Sequence, residues 1–184
     1  MTPDERKSAL KIARESLEMW VKERKRYQSQ VLPKIFKEKR GCFVTLKEDD
    51  ALRGCIGFPE PVLPLGDALG EAVREASEDS RFPPVKPNEL TEIEIEISVL
   101  TVPKLFAGEK KKLPEIIKIG VDGLIMRRGF YSGLLLPQVA TEWHFGKEEF
   151  LDQTCLKAGL NPGDWLDEDV QVFTFQAEVF SEKQ

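Results

Sequence analysis

Apolar and polar residues alternate most regularly at 92–99, where Glu92, Glu94, Glu96 and Ser98 interleave with Ile93, Ile95, Ile97 and Val99. That period of two predicts a strand with one buried face and one acidic, wet face. Elsewhere the period lengthens. Leu10, Ala13, Leu17 and Trp20 recur at three- or four-residue steps behind Thr2-Pro3-Asp4-Glu5. This start has the form of a capping box with proline at the first helical position, and it predicts a helix over about 3–27. Leu65, Ala68, Leu69, Ala72, Val73 and Ala76 predict a second helix over about 65–77. Phe150, Leu151, Cys155 and Ala158 predict a third over 147–158, ended by Gly159.

Residues 42–46 and 52–57 read as two strands joined by a polar loop at 47–51, a length that suits an antiparallel hairpin. Pairing Leu46 with Leu52 would place Phe43 opposite Cys55 and Thr45 opposite Arg53. Cys42 and Cys55 would then lie on opposite faces, unable to form a disulfide. Gly123–Arg127 and Gly133–Leu136 predict strands around a turn at Gly129, Leu113–Ile119 a short helix, and Val170–Phe180 a closing strand. Hairpins dominate and no βαβ alternation occurs. The expected class is therefore α+β, with mainly antiparallel sheets and flanking helices.

Within the second strand lies Leu52-Arg53-Gly54-Cys55-Ile56-Gly57. On an extended strand Arg53 and Cys55 project to the same face, and the two glycines leave backbone open to close approach. A cation beside a thiol raises its thiolate fraction, so Cys55 is a candidate nucleophile. Its alternative role is that of a small residue packed where a larger one would clash. Arg53 and Arg81 present guanidinium forks suited to carboxylate or phosphate, or else form internal salt bridges. Gln138 and Glu142 share a face if Pro137 opens a helical turn. Glu142 then serves as a general base or as the partner of Arg53. His144 is the sole histidine and has no evident role.

Composition narrows the choices. No apolar run reaches 18 residues, so no transmembrane helix is expected, and the acidic opening residues lack the apolar core of a secretory signal. Cys42, Cys55 and Cys155 share no metal-type spacing. Reduced thiols in a cytoplasmic protein are the simpler expectation, with no metal and no cofactor. Residues 1–40 carry a net charge of +6 and the remainder −11. The basic runs at 22–26 and 37–40 read as a solvated helix face and a solvated loop, with contact to phosphate or an acidic partner as the alternative, and interspersed glutamates and absent aromatics weaken a nucleic-acid role. With 22 Glu, 17 Lys and 2 Asn, the composition points to a thermophilic source. No P-loop, GxGxxG or Gly-x-Ser-x-Gly motif occurs.

The hexapeptide is followed in order by Asp79-Ser80-Arg81-Phe82-Pro83-Pro84, Ile95–Leu100, Asp122-Gly123-Leu124-Ile125, Gly133–Ala140 and Cys155–Leu160. In this order and spacing the series, over roughly residues 5–180, resembles the AMMECR domain family. That family is named for a chromosomal region linked to Alport syndrome, midface hypoplasia and elliptocytosis. Ser80 stands where the family pattern leads one to expect proline. The resemblance implies a single two-lobed domain over 1–184, with both termini in a larger lobe and a smaller lobe inserted around 100–135. A cleft between the lobes is the natural place for a ligand, and the residues expected to line it are Arg53, Cys55, Arg81, Gln138 and Glu142, the two arginines suiting a small anionic one. The resemblance also implies a role beside another enzyme, with Memo-like and radical SAM proteins as partners. The function expected is a ligand- or partner-binding module. The alternative is an enzyme using Cys55 or Glu142 to modify nucleic acid or a small acidic metabolite.

Overall fold

The computed structural model describes residues 1–27 and 33–183. The chain divides into two compact units, Met1–Leu100 with Glu178–Gln184, and Thr101–Ala177. The insertion expected around 100–135 therefore continues through residue 177.

In the first unit, α1 (Pro3–Glu23) opens on the expected capping box. The Thr2 hydroxyl accepts from the Glu5 N–H at 3.2 Å, and the Glu5 carboxylate accepts from the Thr2 N–H at 2.7 Å. The helix stops four residues short of the expected end. Arg24 adopts a left-handed conformation (φ 57°) and donates its N–H to the Trp20 carbonyl, with its guanidinium 5.5 Å from the Trp20 ring. No glycine marks this stop, which is why periodicity alone overran it. The buried stripe is Ala9, Ile12, Ala13, Ser16, Leu17 and Val21, so Leu10 and Trp20 sit at its margin.

Strands β1 (Cys42–Glu48) and β2 (Ala51–Phe58) form an antiparallel hairpin. Asp49 and Asp50 both have positive φ, 50° and 62°, so the connection tightens to a two-residue turn of the hairpin type. The register differs from expectation. Leu46 pairs with Gly54, Thr45 with Cys55 and Phe43 with Gly57, whereas Lys47 pairs with Leu52, which leaves Arg53 as the extra residue of a bulge. The offset is two residues, so faces are preserved. Cys42 lies with buried Val44 and Leu46, and Cys55 lies on the other face with Thr45. All three cysteines are free.

Strand β3 (Ile93–Leu100) pairs with β1, matching Ile95 to Leu46 and Ile97 to Val44. Its outer face is tied down by Lys47–Glu96 and Lys183–Glu94 ion pairs, both 2.8 Å. Helix α2 (Leu65–Ala76) buries Leu65, Ala68, Leu69, Ala72, Val73 and Ala76 in the core shared by α1 and the sheet. The glycine of the hexapeptide is required here. A Cβ on Gly54 would lie 2.1 Å from the Ala76 carbonyl oxygen, so α2 packs onto β2 only where no side chain intervenes.

The second unit is built on the hairpin of β5 (Asp122–Arg128) and β6 (Tyr131–Leu135), with Leu124 opposite Leu135 and Met126 opposite Gly133. Strand β7 (Gln171–Ser181) pairs with β5 on one side and with the short β4 (Lys104–Leu105) on the other. The last residues of β7 belong to the first unit. Helix α3 (Leu113–Ile116) is shorter than expected because Ile117 turns extended. Helices α4 (Pro137–Glu142) and α5 (Lys147–Lys157) complete the layer. Phe150, Leu151, Cys155 and Trp165 pack with Leu124, Met126 and Val172 in a separate core. The Trp165 indole N–H donates to Asp152 at 2.9 Å. No helix of the described residues is long and apolar enough to cross a membrane.

Candidate functional site

Three of the five candidate residues, Arg53, Cys55 and Arg81, lie on the first unit, and two of them, Cys55 and Arg81, are in direct contact. Strand β2 is the outermost strand of its sheet, and at Cys55 the exposed backbone edge is closed by side chains. The Asp79 carboxylate accepts from the Cys55 N–H at 3.0 Å, and Arg81 Nη2 donates to the Cys55 carbonyl at 3.4 Å. Asp79 and Arg81 are themselves joined, with Nη2 donating at 2.6 Å and Nε at 3.0 Å, while the Arg81 backbone N–H donates to the same carboxylate at 3.1 Å. A carboxylate–guanidinium pair thus takes the place of a neighbouring strand.

The loop after α2 aims the pair. The Phe82 N–H donates to the Asp79 carbonyl and the Val85 N–H to the Ser77 carbonyl, both at 2.9 Å. The Asp79 side chain is 3% exposed and that of Arg81 56%, so a buried anion anchors a cation that faces solvent. The guanidinium holds the Asp79 carboxyl well below the usual carboxylate range, helped by the Cys55 and Arg81 backbone N–H groups against the opposing effect of burial. Asp79 in turn raises the Arg81 pKa. Among the described residues, no hydrogen bond uses Nη1 of Arg81.

Arg53 is nearly buried, and its Nε donates to Glu89 at 2.8 Å. Its carboxylate partner is therefore Glu89 rather than Glu142. Burial pushes the Glu89 carboxyl up, but hydrogen bonds from Arg53 and from the Lys86 backbone outweigh it, and the net pKa is lowered. Arg53 and Glu89 form one wall of a shallow groove of about 320 Å³, with Phe82, Pro83, Pro84 and Lys86 along it.

Cys55 is half-buried, and the Thr45 hydroxyl donates to its Sγ at 3.3 Å. The other thiols are shielded. Burial pushes Cys42 up to about 12 and Cys155 up to about 11.

Gln138 and Glu142 lie on α4 of the second unit, one helical turn apart as the spacing predicted. Glu142 is exposed and forms no ion pair among the described residues. His144 is also exposed in that unit, with φ 56°. The described residues contain no cluster of three His, Cys, Asp or Glu side chains suited to a metal. The basic run at 22–26 is largely paired, through Lys22–Glu18, Arg24–Glu78, Lys25–Glu23 and Arg26–Glu71, which leaves little free charge for phosphate.

Sequence reasoning missed Asp79 and Glu89 as site residues. Both left a signal. Asp79 stands two before Arg81 in a proline-restricted loop, and Glu89 closes the turn Lys86-Pro87-Asn88-Glu89 by accepting from the Lys86 N–H at 2.7 Å.

The chain is similar to known proteins along its length. The relative from Methanothermobacter thermautotrophicus is 50% identical over 185 residues, 99% of this chain and 96% of that protein. The relative from Thermococcus gammatolerans is 49% identical over 181 residues, 95% of this chain and 88% of that protein. These thermophilic sources fit the Glu- and Lys-rich composition. The crystal structure of an uncharacterized protein from Pyrococcus horikoshii superposes with a TM-score of 0.92 at 45% identity, covering 100% of this chain and 94% of that one. The AMMECR1 family model matches residues 10–180, and the chain belongs to that family.

Proposed function

We propose that this protein is a binding module that recognises an anionic group through Arg81 and the neighbouring Arg53–Glu89 groove, and that it acts beside another enzyme. The observation that carries the reading is the Arg81 side chain. It is more than half exposed, yet its rotamer is fixed through one edge by buried Asp79. A preorganised guanidinium with donors to spare loses little entropy on gripping a carboxylate or phosphate. Lys86 adds a second positive charge to the groove beside Glu89, and the Phe82-Pro83-Pro84 wall offers apolar contact. The family resemblance points to Memo-like or radical SAM enzymes as the catalysts served.

The binding reading fits the chemistry better than catalysis by Cys55. A cysteine nucleophile needs a base, and the polar side chains that bond Cys55 among the described residues are the Thr45 hydroxyl, the Arg81 guanidinium and the Asp79 carboxylate already committed to Arg81. Glu142 is exposed and forms no ion pair among the described residues, so nothing there fixes its carboxylate for proton transfer.

The test is recovery of small molecules and proteins bound to the native chain, compared with Arg53→Ala and Arg81→Lys. Lysine keeps the charge opposite Asp79 but not the fork. The expected result is an anionic ligand or acidic protein segment retained by wild type and weakened at least tenfold in both variants. Equal retention by all three proteins would overturn the reading.

A further inference from the structure

A second cavity of about 590 Å³ lies between α1 and α2 and shares no lining residue with the Arg53–Glu89 groove. That volume is in the range of small-molecule sites. Its α1 wall is Ile12, Ser16 and Trp20, spaced four apart on one face. Its α2 wall includes Gly66 and Gly70, also four apart. A Cβ on Gly70 would lie 3.5 Å from Ser16 Oγ, so glycine opens space opposite the hydroxyl.

The donors in this wall are unusual. Ser16 is 3% exposed, and neither its Oγ nor the Trp20 Nε1 has a hydrogen-bond partner among the described residues. Buried polar groups are nearly always paired, and two orphans in one cavity wall call for a counterpart. The indole is also held in place, with the Arg74 guanidinium 5.1 Å and that of Arg24 5.5 Å from its ring.

We propose that this cavity binds a small apolar molecule carrying an acceptor oxygen, a carbonyl or a carboxylate, held by the Ser16 hydroxyl and the Trp20 indole N–H. An indole N–H only donates, so its counterpart must accept. Ile12 and Leu63 supply the apolar contact. The cations at the rim are committed to carboxylates: Arg74 to Glu71 and Glu75, Arg26 to Glu71, and Lys25 to Glu23. The site therefore asks for an acceptor rather than for a charge.

The chain has three tryptophans, so protein labelled with ¹⁵N at the indole nitrogens gives three cross-peaks, with Trp20 assigned by its loss in Trp20→Phe. The probes are benzamide, benzoate and toluene, which share a ring and differ in the acceptor. Benzamide, benzoate or both should move the Trp20 peak saturably while the Trp143 and Trp165 peaks stay fixed, and which of them binds reports the charge of the preferred ligand. Toluene should bind at least tenfold more weakly. Ser16→Ala should weaken the response about tenfold, and Gly70→Leu, whose Cβ meets only Ser16 Oγ at contact distance and whose branch enters the cavity, should abolish it. The proposal fails if neither acceptor probe moves Trp20 up to its solubility, the result expected if water alone satisfies the two donors. It also fails if toluene binds equally well, if Trp143 moves in parallel, or if folded Gly70→Leu responds like wild type.

Discussion

Replacing Asp79 with asparagine removes the charge that anchors Arg81 while keeping the side-chain shape. In the wild type one buried carboxylate accepts from the Cys55 N–H, the Arg81 N–H and the Arg81 guanidinium. Asparagine has a single acceptor oxygen, and its NH₂ group would face donors. A hydrogen bond to a charged group contributes roughly 1.5–3 kcal/mol. The Arg81 side of the pair is more than half exposed, so its Coulombic share is screened and adds little. The expected loss is therefore about 2 kcal/mol at pH 7, roughly a 30-fold rise in the unfolded-to-folded ratio. The folded-state pKa of Asp79 is depressed, so its contribution is present above the unfolded carboxylate value of about 3.9 and fades as pH falls below it towards the folded value. Urea titrations of both proteins at pH 7 and at pH 3 measure this directly. The gap should be about 2 kcal/mol at pH 7 and smaller at pH 3. A gap below about 0.5 kcal/mol at pH 7, or one that fails to narrow in acid, would refute the assignment of Asp79 as the anchor.

Three further outcomes follow from the geometry. Gly54→Ala drives a methyl into the Ala76 carbonyl and should cost about 1–3 kcal/mol or more by overpacking, whereas Gly70→Ala meets only Ser16 Oγ at contact distance and should be neutral or stabilising by up to about 1 kcal/mol; denaturant midpoints compare the two. Native protein treated with a thiol reagent at neutral pH should label at Cys55 well before Cys42 or Cys155, as read by peptide mass, because those two are buried with raised pKa values. Cys55→Ala should cost on the order of 1 kcal/mol, and a Cys55→Leu variant as stable as Cys55→Ala would show that the thiol faces open space.

The strands and helices were legible because their periods are unmixed. The Ile-Glu alternation of β3 and the leucine and alanine stripe of α2 permit few other placements. What escaped was set by backbone detail. The two-residue turn and the bulge at Arg53 each moved the hairpin register by one residue, and the left-handed Arg24 ended α1 without a glycine. The candidate site was legible in its cations and not in their partners. Arg53 and Arg81 stood out beside glycines and prolines, while Glu89 and Asp79 read as ordinary loop acids. Trp20 read as part of a helix stripe and Ser16 gave no signal of its own, since only the packing of α1 on α2 reveals that their polar atoms lack partners among the described residues.

The central claim is that Arg81 is a fixed cation open to an anion. The most direct measurement follows the arginine side-chain Nε–H resonances by NMR as inorganic phosphate and then acetate are added, with Arg81 assigned through its loss in Arg81→Lys. The account predicts that the Arg81 resonance is already resolved and slow to exchange, because Nε donates to buried Asp79, and that it shifts saturably with phosphate, more than exposed arginines such as Arg26 do. An Arg81 signal averaged with the exposed arginines, or one that stays fixed while they move, would contradict it.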